Sequence, residues 1–180
     1  MHSLARILFL SASLLPLPGW AAGPIGTTLS TLHLQTLDGK DFSAAWNGAK
    51  TQQGILLVNF WASWCSYCQT EMPVLQSYYN KHQRDGLRLI GISIDDVSDL
   101  EKVRAIMQHF NYPAAMAQSN DAVRQFGRIW RVPMTYVVDK HGRVLCDLNA
   151  DHPELNEALL EQQLAPLLQG KASECQAGTH

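Results

Sequence analysis

Ile55-Leu56-Leu57-Val58-Asn59-Phe60-Trp61, followed at once by Ala62-Ser63-Trp64-Cys65-Ser66-Tyr67-Cys68, holds the key to the architecture. The first seven residues are apolar except Asn59, the pattern of a central strand covered on both faces. After Cys65 the period changes. Met72, Leu75 and Tyr79 recur at spacings of three and four, which predicts a helix from about Cys65 to Lys81 with one inward stripe. Pro73 falls inside that helix, and because the apolar pattern continues past it, a kink is expected rather than a stop.

The two cysteines stand where strand gives way to helix. A helix start presents unpaired N–H groups and a partial positive charge, so a thiolate placed there is stabilised and its pKa falls. Cys68, one turn later, is close enough to close a disulfide with Cys65. The pair can cycle between dithiol and disulfide through a mixed disulfide, with Cys65 as nucleophile and Cys68 resolving it. Half a zinc site begins with the same spacing, but a ribbon needs a second ligand pair. Cys146 and Cys175 lie too far apart to supply it, and His141 and His152 flank Cys146 without ligand spacing, so no metal is expected. Paired thiolates also suit Cu(I), with Met72, Met134 and seven histidines in the chain as further candidate ligands. Met72, at helical spacing, reads first as core, and no histidine neighbours the thiols. His33, His82, His109 and His141 sit in polar contexts and read as surface groups.

Outward from this centre, Leu32 and Leu34 before the turn Leu37-Asp38-Gly39-Lys40 predict a strand and hairpin, and Leu87 to Ile94 a second long strand. Asp95, Asp96 and Ser98 then open a helix through Leu100, Val103, Ile106, Met107 and Phe110, which Asn111-Tyr112-Pro113 closes. A short strand near 114–117 and a short helix near 121–126 follow. Thr135 to Val138, the turn Asp139-Lys140-His141-Gly142, and Arg143 to Cys146 form a β-hairpin. A last helix spans roughly Pro153 to Leu168. The order βαβ, then ββα, implies an α/β layer structure with a mixed sheet.

The chain has 180 residues, 46% apolar and 17% charged, with a formal net charge of −2. Those proportions belong to a soluble globular protein and argue against a disordered chain or a dedicated nucleic-acid binder. One domain of this length needs neither metal nor a disulfide lattice to fold. The first 22 residues stand apart. Arg6 is the only Lys or Arg before Lys40; it precedes an apolar run from Ile7 to Leu15, then Pro16, Pro18 and the small residues Ala21-Ala22-Gly23. These are the parts of a secretory signal peptide, with cleavage somewhere in 21–23. The apolar run is shorter than the about 20 residues that span a bilayer, and an uncleaved leader would act as a membrane anchor. The cysteines then face an oxidising compartment.

Trp61 to Pro73, WASWCSYCQTEMP, with the strand before it and Trp130-Arg131-Val132-Pro133-Met134-Thr135 ahead of the hairpin, closely resembles the thioredoxin superfamily. Within it, the chain is similar to the exported TlpA/ResA-like thiol-disulfide oxidoreductases over Thr28 to Leu168. The resemblance implies a thioredoxin-like fold over residues 28–169: a central mixed β-sheet flanked by helices, with an N-terminal β-hairpin extension. Residues 170–180 are left as a flexible tail. It further implies that Cys65 and Cys68 form a redox-active disulfide, that Pro133 is a cis-proline beside it, that Val132 offers its backbone to an extended substrate, and that Trp64, matching the aromatic residue before the nucleophile, helps bind that substrate; the alternative for Trp64 is packing at the mouth of the site. Glu71 is implied to hold or accept a proton during exchange; the alternative is a solvated helix residue. Asn59 stands where cytosolic thioredoxins have a buried aspartate, and an asparagine takes up no proton, so proton handling falls to Glu71 or water.

Ser66-Tyr67 departs from the proline-containing pairs common among relatives, which leaves the direction of electron flow open. The resemblance favours a reductant, which the leader places in the periplasm or another extracytoplasmic space; no glycine-rich loop follows a strand, so no cofactor is expected, and the chain is read as a monomer. It would be kept reduced by a membrane electron donor and act on protein thiols of apocytochrome or metallochaperone type. A dithiol oxidase and a Cu(I)-binding metallochaperone are the alternatives. Cys146 and Cys175 fall outside the motif and allow two readings: a structural disulfide tying the tail to the hairpin, or a buried free Cys146 with an exposed thiol at Cys175.

Overall fold

The computed structural model describes residues 24–46, 54–150 and 154–175. The leader at 1–22 lies outside the described residues. Ten regular elements follow in order: β1 (Thr31–Gln35), β2 (Asp41–Ala45), β3 (Ile55–Trp61), α1 (Ser66–His82), β4 (Leu87–Ser93), α2 (Leu100–Met107), β5 (Ala114–Met116), β6 (Met134–Val138), β7 (Val144–Asp147) and α3 (Glu157–Leu168). Five strands form one sheet in the order β5-β4-β3-β6-β7, while β1 and β2 pair separately as an antiparallel hairpin. β4 runs parallel to β3 and β5, and β6 runs antiparallel to both β3 and β7, so the sheet is mixed.

Every residue of β3 is buried, which accounts for its unbroken apolar run. Successive side chains of a strand point to opposite faces. Ile55, Leu57 and Trp61 accordingly pack with Met72, Leu75 and Tyr78 of α1, Val103 of α2 and Leu160 and Leu164 of α3. Leu56, Val58 and Phe60 pack on the other face with Ile90, Ile92, Phe126, Tyr136 and the hairpin residues Leu32 and Leu34. Asn59 shares the α1 face and donates from Nδ2 to Thr135 Oγ1 at 3.0 Å. α1 carries Pro73 in its interior and continues to His82.

The N-terminal segment is stitched to the sheet by its backbone. Gly26 N donates to Val144 O, Val144 N to Thr27 O and Leu37 N to Ala114 O, and Thr36 bridges Ala115.

Three boundaries differ from the sequence reading. α2 stops at Met107 instead of reaching Phe110. The next N–H groups, of His109 and Phe110, reach back only three residues, and that of Asn111 is captured by Gln76 Oε1 at 2.7 Å. Asp95 and Asp96 do not cap α2 either: Asp95 binds Ser63 and Ser93, Asp96 accepts from Gln118, and a 3-10 turn at Val97–Asp99 intervenes. α3 begins at Glu157 rather than Pro153, because Asn156 is extended and accepts from Leu159 N, capping the helix there.

The β6–β7 turn depends on Gly142, whose φ of +83° suits only glycine without strain. A Cβ there would fall on the Leu29 carbonyl oxygen and 2.8 Å from Cγ of Trp46. Gly142→Ala is expected to cost about 2–4 kcal/mol, read as a lowered urea midpoint with an unchanged m-value.

Candidate active site

β3 delivers its C-terminal end into a tight turn in which Cys65 N donates to Ala62 O. Cys65 is the N-cap of α1: its backbone is extended, at φ −91° and ψ 101°, and its Sγ accepts from Cys68 N at 3.1 Å. The sulfur thus takes the place of the oxygen that usually satisfies a first-turn N–H. No acidic side chain lies in that first turn to oppose a thiolate. Cys65 and Cys68 are joined as a disulfide with Cα atoms 5.3 Å apart. Cys68 is 1% exposed and Cys65 7%, so an incoming sulfur meets Cys65 first.

A clasp beneath this turn was not apparent from the sequence. Asp95, 2% exposed, accepts from Ser63 N at 2.8 Å, Ser63 Oγ at 2.7 Å and Ser93 Oγ at 2.7 Å. It ties the β3–α1 turn to the end of β4.

The neighbouring strand brings the second half of the site. Phe60 pairs with Met134, which places Pro133 at the end of the sheet where the Cys65 turn emerges. The Val132–Pro133 bond is cis. Val132 and Pro133 are half-buried, and Val132 packs against both core clusters, one of which contains Cys65 and Cys68. Arg131 donates from Nη1 to Pro133 O at 2.7 Å and from Nη2 to the buried Asp147. Asp147 Oδ1 also accepts from Thr135 N and Asn149 N. Trp64, Tyr67 and Trp130 are the exposed aromatic side chains of these two segments.

Glu71, one turn beyond Cys68, is 2% exposed, which overturns the solvated alternative. Oε1 and Oε2 accept from Asn149 Nδ2 at 3.0 and 3.1 Å, and Oε1 also accepts from Leu155 N at 3.1 Å. Burial pushes its pKa above the ordinary 4.5, with Asp147 and Glu154 adding to the rise, while the bonds from Leu155 and Asn149 oppose it. Sequence reasoning missed Arg131, Asp147 and Asn149. Only the Asp147-Leu148-Asn149 turn residues hinted at them.

Cys146 on β7 and Cys175 are joined by a disulfide whose Cα atoms are 6.2 Å apart. Among the described residues, no group of three or more His, Cys, Asp or Glu is placed to hold a metal. Met72 and Met134 are buried in the core. His82 is a correction: its side chain is 12% exposed, lies on the Tyr78 ring and meets Asp85 and Glu161, because the inward face of α1 extends to its last turn.

A mixed sheet of this order, a cystine at the start of the helix after its central strand, and a cis X-Pro bond on the adjacent strand define a thioredoxin-like protein. The chain belongs to the AhpC/TSA family, whose model matches residues 25–146. It is 26% identical over 99 residues to the thiol-disulfide oxidoreductase ResA of Bacillus thuringiensis subsp. konkukian, covering 55% of this chain and 56% of that protein. It is 32% identical over 121 residues to the thiol:disulfide interchange protein HelX of Rhodobacter capsulatus, covering 66% of this chain and 63% of that one. A thioredoxin family thiol:disulfide interchange protein from Chlorobium tepidum TLS superposes with a TM-score of 0.66 at 26% identity, over 82% of this chain and 98% of that one. The chain therefore spans somewhat over half the length of these curated relatives.

Proposed function

We propose that the protein is an extracytoplasmic thiol-disulfide oxidoreductase that reduces protein disulfides. The observation that carries this reading is the Cys65–Cys68 disulfide, with the more exposed sulfur serving as the N-cap of α1. In the reduced enzyme the Cys65 thiolate attacks a substrate disulfide, forming a Cys65–substrate bond as the other substrate sulfur leaves as a thiolate. Cys68, deprotonated with Glu71 as acceptor, then attacks Cys65 Sγ. The substrate leaves with both sulfurs reduced, and the enzyme is left as the disulfide. Val132 and Pro133 present backbone to an extended substrate segment, and Trp64 packs against it.

The signal-like leader supports export, with 1–22 as signal peptide or anchor, 28–169 as the working domain and 170–180 as a tail. A membrane-bound dithiol donor would regenerate the enzyme. Cytochrome c or metalloprotein maturation is the proposed setting, its clients being polypeptides whose cysteines must be kept reduced.

Equilibration against defined glutathione mixtures gives the direction. A reductant is expected to lie near the thioredoxin value of about −270 mV, and a potential near about −120 mV would replace this reading with a dithiol oxidase.

A further inference from the structure

We propose that Asn149 is a positioning residue for thiol exchange: its buried side-chain amide grips both oxygens of Glu71 and, through Asp147 and Arg131, fixes that carboxylate relative to the cis Val132–Pro133 loop. The inference rests on the proposed exchange reaction for its catalytic meaning and adds a residue 78 positions away from Glu71 in the chain.

Two observations carry it. The first is the continuity of the contacts. Asn149 reaches Glu71 by its side chain and Asp147 by its backbone N–H at 3.1 Å. Asp147 in turn holds Thr135 N, two residues after Pro133, and the Arg131 guanidinium, which donates to Pro133 O. A shift of the cis-proline loop as a substrate docks therefore has a rigid path to the carboxylate that serves Cys68. All the atoms along this path are charged or strongly polar and partly or wholly buried, so leaving any one unpaired is costly.

The second is the chemistry of an amide. Asn149 Oδ1 is buried and has no hydrogen-bond partner among the described residues, while Nδ2 is committed to Glu71. Nδ2–H donates to an ionised carboxylate. Turned about its last torsion, the same side chain presents Oδ1 to the O–H of a carboxylic acid. Asn149 can thus satisfy Glu71 before and after it takes a proton, which an aliphatic residue cannot do. Leu155 N–H supports only the acceptor side. The other charged groups acting on Glu71 are Asp147 on β7 and Glu154 ahead of α3, both of which disfavour its ionised form; Arg131 is engaged with Asp147, and Cys68 lies one turn back on α1.

The test is an NMR titration of the full chain labelled with 13C and 15N, paired with the pH profile of disulfide exchange. In the wild type, the Asn149 side-chain NH2 signals are expected to move with the same midpoint as the Glu71 carboxyl carbon. In Asn149→Leu, the Glu71 midpoint is expected to rise by about one pH unit, a tenfold gain in proton affinity, and the ascending limb of the exchange profile to move with it. NH2 signals that stay flat through the Glu71 titration would overturn the proposal, and so would an unmoved midpoint or an unmoved exchange limb in a folded Asn149→Leu. If that variant does not fold, the wild-type titration decides alone. Wild-type protein that fails to exchange disulfides at any pH would instead defeat the functional reading, a result distinct from an uncoupled Asn149.

Discussion

Cys65→Ser is expected to abolish reduction of a protein disulfide, lowering the rate by about three orders of magnitude or more, whereas Cys68→Ser is expected to accumulate mixed disulfides with its substrate. The asymmetry follows from burial. Cys65 is the sulfur an incoming disulfide meets, and its loss removes the first bond-forming step. Cys68, sealed beneath it, acts only from within. Without Cys68 the Cys65–substrate bond has no internal sulfur to break it. Initial rates of disulfide reduction and mass spectrometry of the unreduced products check both halves; retained turnover in Cys65→Ser would remove the mechanism.

Glu71→Gln has two linked consequences. Exchange is expected to slow by about a hundredfold, the ordinary contribution of a positioned proton acceptor, and to lose its dependence on the Glu71 titration. Stability changes in the opposite direction. Burial raises the folded pKa of Glu71 above its ordinary 4.5, so the folded oxidised protein binds a proton that the unfolded chain releases. That stability is fully present below the unfolded value and is lost as pH rises through the folded one. The variant should therefore gain on the wild type as pH increases across this window, by about 1.4 kcal/mol for each unit separating the two pKa values, and gain nothing further above it. Asn149 can turn its Oδ1 toward the new amide, which gives that amide's N–H donor a buried acceptor. Urea titrations of the oxidised protein at pH 4 and pH 7 measure the difference; a gap of constant size would contradict it.

The parts of this molecule that could be read in advance are those set by local periodicity. β3 announced itself because both its faces are covered, and α1 because its inward stripe persists past Pro73. Cys65, Cys68 and Glu71 fall within seven residues of one another, so one helix turn geometry relates them. The end of α2 was misread because Gln76, on a different helix, takes the N–H of Asn111, and no window around Asn111 contains that partner. Asp95 has the composition of a helix cap, yet tertiary contact assigns it to Ser63. Asn149 is the extreme case: nothing in its neighbours says that a carboxylate from α1 will arrive beside it.

The sheet has two outer rims, β5 and β7, and the same N-terminal segment covers part of both: Thr36 and Leu37 bond to β5 at Ala115 and Ala114, Gly26 and Thr27 to β7 at Val144. Unsatisfied strand edges are templates on which other extended chains add themselves. With part of each rim taken up from within the chain, an extended client that comes to Cys65 finds less open ladder on which to add itself.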